Sequence, residues 1–402
     1  MKTRRVFVVV LSCVFLGTFP LLAPATDVAV NCPGDSLNDA VALLDPVGPH
    51  TITVTGTCEE IVNIISLERV TIQAPEGQTA TIAPPAGIAL RIVNSRDINL
   101  VRLTITGARR GIQLERASSV FLSGCTVENN ATYGIQVLDG SHLTMESSTV
   151  QDTGFRGINV EGGTITINGN VQILRNSIGL RLSGAQGTLI GPAADAGNLI
   201  ADNTLAGLVV NYASSLTLGG KNTIQNNGEI GIQLAAGSGA LLYGQVDEFN
   251  NPLMPVIEGH TRGGITLFAS ASAYIAGPLE IRNNGGIGSP DQAGVYVSDG
   301  SSVYIFEGVR ITNNLAPGIL AEPTGTVELF QTTVSNNTGG GVKLLRMSMG
   351  KFDGGNTVRG NGGADVSCDG TSLVAGDLTG VGSFDCRRIE RALGPPRPGR
   401  VQ

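Results

Sequence analysis

The sequence predicts an all-β fold, a parallel β-helix solenoid, on three observations. A glycine followed by an apolar, a variable and an apolar residue recurs at a spacing near 23 residues. Glycine stands at 56 of 402 positions, about twice the usual ~7%. Aromatic residues make up only 4%, with no tryptophan, so few large side chains are present to anchor a thick core. A charged fraction of 15% beside 41% apolar residues fits neither a coiled coil nor a disordered chain. Collagen's Gly-X-Y and the calcium-binding nonapeptide repeat are both absent.

The elements follow in chain order. Residues 1–25 read as a secretory signal: Lys2, Arg4 and Arg5, the apolar run Val6 to Leu22, and Ala23-Pro24-Ala25 as a small-residue cleavage site. No later apolar run approaches twenty residues, so no membrane span is expected. Ser36-Leu-Asn-Asp39 resembles a capping box ahead of Ala40, Val41, Leu43 and Leu44, and Pro46 follows. Residues 36–45 are therefore expected to form a short amphipathic helix over the open first rung. Residues 26–60 form an N-terminal cap with Thr51–Thr55 as its strand.

The repeat proper opens at Gly87, Gly111, Gly134, Gly157, Gly179, Gly207, Gly231, Gly264, Gly294, Gly318 and Gly341. Each unit holds three short alternating segments, such as Ile112-Gln-Leu114, Val120-Phe-Leu122 and Thr126-Val127, followed by Asn129-Asn130. Three short strands joined by Gly, Asn, Ser and Thr corners wind into a coil whose turns stack at ~4.8 Å. Eleven or twelve rungs are expected, right-handed by the general preference of parallel crossovers. The asparagine pairs suit sharp corners, where Asn tolerates left-handed backbone and stacked amides bond from rung to rung.

The rod domain spans 26–386, closed by a C-terminal cap at 365–386, and 387–402 is a basic, proline-containing tail expected to be mobile. Residues 26–386 carry 18 basic and 32 acidic side chains, a net −14, which argues against nucleic-acid or anionic-membrane binding. Export permits disulfides: Cys32 with Cys58 and Cys368 with Cys386 read as two end staples, leaving Cys125 a buried thiol.

At the rungs Glu128 to Val137 (ENNATYGIQV) and Thr312 to Leu320 (TNNLAPGIL), the sequence resembles the right-handed parallel β-helix repeats of the pectin-lyase-like superfamily. Thr51 to Glu59 (TITVTGTCE) resembles the N-terminal region of such proteins. The resemblance covers most of residues 36–370 and implies the fold. That superfamily includes polysaccharide lyases, glycoside hydrolases, sugar esterases and epimerases alongside adhesins. The polygalacturonase Asn-Thr-Asp, Asp-Asp and Gly-His-Gly series, the Asp-Pro-His of alginate epimerases and the arginine-centred pectate-lyase signature are absent. His260, in Glu258-Gly-His260-Thr-Arg262, only superficially resembles Gly-His-Gly.

Glycine fixes the register, so outward columns can be read off. One residue before it stand Arg110, Tyr133 and Arg156. Two after it stand Gln113, Gln136, Asn159 and Arg181; four after it, Arg91, Glu115, Leu138, Glu161 and Ser183. Glu115 and Glu161 fall two rungs, roughly 9 to 10 Å, apart, compatible with an inverting carboxylate pair. A lyase would instead use Arg110 or Arg156 to neutralise a uronate and Tyr133 to transfer a proton. The catalytic candidates are thus Glu115, Glu161, Tyr133 and Arg156, and the substrate-binding candidates Arg110, Gln113, Gln136, Asn159, Arg181, His260 and Arg262. A solvated face of weak ion pairs is the alternative.

The two longest spacings, 33 and 30 residues, add loops carrying Asp247, Glu248, Glu258, His260, Arg262 and Asp291, expected at the same edge as Arg110. Outward Tyr274 and Tyr304 form a pair on the second segment. Three histidines without a ligand grouping indicate no zinc site, and no cofactor is assigned; calcium at a carboxylate cluster is left open. The sequence therefore reads as an exported, monomeric β-helix contacting extended polysaccharide as a lyase or hydrolase, with a non-catalytic, adhesin-like surface rod as the alternative.

Overall fold

A computed structural model describes residues 25–193, 195–286 and 292–386. The predicted signal up to residue 24, Asp291 and the tail 387–402 lie outside them. Three parallel sheets of 14, 15 and 13 strands form the walls of one β-helix. The first wall holds the strands that begin at the repeat glycines, such as Arg110–Glu115, Tyr133–Leu138 and Arg156–Glu161. The second holds Ser119–Ser123 and His142–Glu146, and the third Thr126–Glu128 and Thr149–Gln151.

Inward residues of each wall pile into one core: Ile112, Ile135 and Ile158 from the first wall, Leu122 and Met145 from the second, and Val127 and Val150 from the third are all fully buried. At this width Ile, Val and Leu fill the coil, so scarce aromatics leave no packing deficit. Thirteen to fifteen strands per wall exceed the expected eleven or twelve rungs. The extra ones, such as Val62–Ile65, Val366–Cys368 and Phe384–Asp385, lack the glycine signature. The stack is on the order of 65 Å long at ~4.8 Å per rung.

Each asparagine pair divides its work. The first residue, as at Asn129, Asn226, Asn283, Asn313 and Asn336, takes left-handed φ between 51° and 58°. The second is buried and bonds along the axis. The same corner is kept where Arg175 and Asp202 replace the first asparagine: Asn176 donates its backbone N–H to Asn203 Oδ1 at 2.9 Å, and Asn203 does the same to Asn227 at 3.1 Å. Their Nδ2 atoms reach carbonyls of the preceding turn, Val150 and Ile173. A second ladder, of serines, runs between the first and second walls through Ser95, Ser118 and Ser141 at 3.2 Å per step.

The amide ladder explains the glycines. A Cβ on Gly179 would lie 2.6 Å from the Gly207 carbonyl and 3.0 Å from Asn203 Nδ2, closer than packing allows. In the rung before Gly111, Ala89 fills the glycine slot because Leu90 pairs with Ile112, and the ladder position of that turn is the small Ala108. This moves Arg91 from the Glu115 column into the Gln113 column, correcting the expected register by two residues.

Helix α1 (Leu37–Ala42) covers the open N-terminal end with Leu37 and Val41 buried, while Leu43 points outward. Ser36 caps it by accepting from the Asp39 N–H, and Glu60 takes the Leu37 N–H at 2.6 Å. An unforeseen strand, Thr26–Asn31, precedes the helix and pairs with Val47–Thr55. Cys32–Cys58 and Cys368–Cys386 are both disulfides. Cys125 is a buried free thiol whose pKa burial pushes up to about 11. Among the described residues no helix is long and apolar enough to cross a membrane.

Candidate functional site

Outward residues of the first wall gather in register across five rungs. Ile88, Arg110, Tyr133, Arg156 and Ile178 form one column, and Arg91, Gln113, Gln136, Asn159 and Arg181 the next. Val93 and Glu115 pair in the third column, as do Leu138, Glu161 and Ser183. Parallel in-register pairing sets one residue per rung in each column.

Two rungs carry the same motif. In one, Arg110 donates to Gln113 Oε1 at 2.7 Å and the Gln113 amide donates to Glu115. In the other, Arg156 donates to Asn159 Oδ1 at 2.9 Å and Asn159 donates to Glu161 at 3.1 Å. Each carboxylate also meets a guanidinium from a neighbouring rung: Arg91 to Glu115 at 2.8 Å and Arg181 to Glu161 at 3.2 Å. Between the two motifs lies Tyr133, with Arg110 and Arg156 at 5.7 and 5.8 Å from its ring centre. The Phe155 ring lies 4.4 Å from the same Arg156 guanidinium and 6.2 Å from the Tyr133 ring.

Charge on this face opposes that of the chain. Four guanidiniums (Arg91, Arg110, Arg156, Arg181) stand against two carboxylates, on a chain of net charge −7. The Arg91 hydrogen bond holds the Glu115 carboxyl below its ordinary pKa, outweighing burial. Burial, then the nearby Arg181, lowers the pKa of Arg156. Arg110 Nε, Arg156 Nε and Gln136 Oε1 are buried without a hydrogen-bond partner in the protein. Buried polar atoms are ordinarily paired, and here two donors and an acceptor without partners share three consecutive rungs.

The remaining candidates lie elsewhere. Gly259-His260 occupies an asparagine-pair corner, with Gly259 in left-handed backbone and His260 1% exposed. Nδ1 of His260 accepts the Asn227 N–H at 3.1 Å and Nε2 reaches the Ile224 carbonyl at 3.1 Å, as Oδ1 and Nδ2 of an asparagine would. His260 is thus a rung of the interior ladder, and its burial removes it from the expected substrate contacts. Arg262 pairs with Glu229 at 3.6 Å at the first-wall edge, and Glu258 with Arg282 on the third wall. The 244–255 insertion, with Asp247 and Glu248, follows the second-wall strand Gly239–Tyr243. It emerges between the second and third walls, not at the edge of Arg110. Tyr274 and Tyr304 pair on the second wall.

The same columns continue beyond the rungs considered from sequence. Glu322, four residues after Gly318, lies on the line of Glu115 and Glu161; Lys343, two after Gly341, lies on the line of Gln113. Extending the glycine count to the last repeats would have found both.

A family model described as right handed beta helix region matches residues 61–191 and 110–277, more than half of the chain. The chain belongs to the right-handed β-helix family. Its fold is the right-handed parallel β-helix that the repeat sequences resembled. This β-helix is similar to the alginate lyase of Paenibacillus sp. str. FPU-7, at 16% identity, TM-score 0.45, covering 67% of this chain and 99% of that one. It is also similar to the enzymatically active domain of tailspike protein 2 of bacteriophage CBA120, at 13% identity, TM-score 0.46, covering 64% and 43%. For the periplasmic alginate epimerase AlgG the values are 13%, 0.42, and 90% and 83%. No curated protein matches the sequence.

Proposed function

We propose that the first wall between Ile88 and Ser183 is the binding face of an exported protein for an extended acidic polysaccharide. The observation that carries this reading is the trio of buried, unpartnered polar atoms on Arg110, Gln136 and Arg156, set in a face of four guanidiniums and two carboxylates. A uronate residue supplies what they lack: a carboxylate for the guanidinium N–H groups and hydroxyls for the amide oxygen. Arg110 and Arg156 each have one side-chain hydrogen bond to release in turning to a ligand, and the rung register repeats the contact every ~4.8 Å along a chain. Two disulfides fit an oxidising, extracellular or periplasmic setting.

A lyase is the second reading, favoured by Tyr133 held between Arg110 and Arg156. Either arginine would neutralise the uronate carboxylate while the phenol transfers a proton. In an inverting-hydrolase pair, which sets a carboxylic acid of raised pKa against an ionised base, Glu115 suits only the base, because the Arg91 hydrogen bond lowers its pKa.

Affinity electrophoresis in gels containing polygalacturonate, alginate or neutral xylan tests the reading. Retardation by an acidic gel, lost in Arg156→Ala, is expected. Equal mobility in all gels would refute it, and absorbance of an unsaturated product would select the lyase.

A further inference from the structure

We infer that a cavity near the C-terminal end of the first wall is a second binding station, which takes one acidic sugar residue of the same polysaccharide. This rests on the proposed function of the first wall and extends it to a separate site. The cavity measures about 430 Å³, within the range of small-ligand sites. It lies by the strands Ile319–Ala321 and Val342–Leu344. Pro317 and Leu320 give it an apolar side, while Gln292, Glu322, Lys343 and Arg346 bring polar groups to its lining.

Glu322 is the unusual member. Its side chain is 9% exposed, and the Arg346 guanidinium stands 4.0 Å from it, beyond hydrogen-bond reach. A carboxylate this withdrawn from water ordinarily has its oxygens bonded. Lys343 sits on the adjacent rung opposite Leu320. Two cations against one carboxylate leave a net positive charge, matched by one uronate carboxylate. The sugar hydroxyls would donate to Glu322, and its ring face would lie on Leu320 and Pro317.

Position ties this station to the first. Glu322 stands six rungs beyond Glu161 in the strand order of the wall, about 29 Å along a straight sheet. A stiff polymer lying along the wall meets both, and the second contact then forms at high effective concentration. A disaccharide is too short to meet both.

Calorimetric titration of the full chain with di- and decasaccharides of galacturonate and of mannuronate tests this. For one of these polymers, the decasaccharide is expected to bind on the order of 100-fold more tightly than the disaccharide. Lys343→Ala should remove at least ~10-fold of that gain, leave the Arg156-dependent binding of the disaccharide in place, and melt like the parent. Glu322→Gln, which keeps the shape of the side chain, should also reduce the gain. If Lys343→Ala and Glu322→Gln bind the decasaccharide like the parent while Arg156→Ala weakens it, the second station is wrong and the first-wall reading stands. If the parent binds none of the four oligosaccharides, both fall.

Discussion

Two columns run side by side along this β-helix and obey different rules. At the corner between the third and first walls, Asn176, Asn203, Asn227, His260, Asn284, Asn314 and Asn337 repeat one chemistry, each buried and bonded to its neighbours. On the outer face of the first wall, the column Arg91, Gln113, Gln136, Asn159 and Arg181 varies among arginine, glutamine and asparagine. Repetition marks the residues the scaffold needs. Variation, with polar atoms left unpaired, marks the surface released from that need.

The largest effect expected from this contrast is in the ladder. Asn203→Ala strips partners from the buried Asn176 N–H, the Ile173 carbonyl and Asn227. At about 1–3 kcal/mol per orphaned buried group, partly relieved by relaxation, a loss of roughly 2–4 kcal/mol is expected. Urea unfolding measures it, and a loss below ~1 kcal/mol would break the contrast. Gly179→Ala should follow at about 1–3 kcal/mol, since its methyl meets a carbonyl and the same asparagine. Ala89→Gly, in the rung already built for a methyl, should cost less than the glycine substitutions elsewhere.

His260 sharpens the comparison through pH. Burial lowers its pKa below the ordinary 6.5, and protonating Nδ1 would break its acceptance of the Asn227 N–H. The unfolded chain then binds a proton that the folded chain refuses, so stability is full above about 6.5 and falls as pH drops toward the folded value. His260→Asn should flatten that limb of the melting-temperature profile, and an unchanged slope would contradict the ladder role. Glu115 predicts a smaller change of the same sign at lower pH. Its carboxylate contributes above its ordinary 4.5 and loses that contribution as pH falls through its lowered pKa, a limb that Glu115→Gln should blunt. The smallest effect is at Arg156: Arg156→Ala should shift stability by under ~1 kcal/mol while removing polysaccharide retention.

Much of this was legible in the sequence because a solenoid writes its register in every repeat. The glycine spacing placed Gln113, Gln136, Asn159 and Arg181 in one column, and the asparagine pairs at corners. Where a rung departed from the pattern, the reading slipped. Ala89 in a glycine slot displaced Arg91, and a histidine doing an asparagine's work looked like a surface motif. Glycine-to-glycine counting gave the length of the 244–255 insertion but not the corner from which it leaves. The unpartnered atoms of Arg110, Gln136 and Arg156 depend on side-chain packing, which no spacing records.

Mass-spectrometric mapping of arginine modification, with and without a bound uronan, tests most directly that the varied face is the functional one. Protection of Arg110, Arg156 and Arg181 on the first wall is expected, with Arg175 and Arg310 by the third wall modified as before. Equal protection of both sets, or protection of the third-wall pair alone, would contradict it.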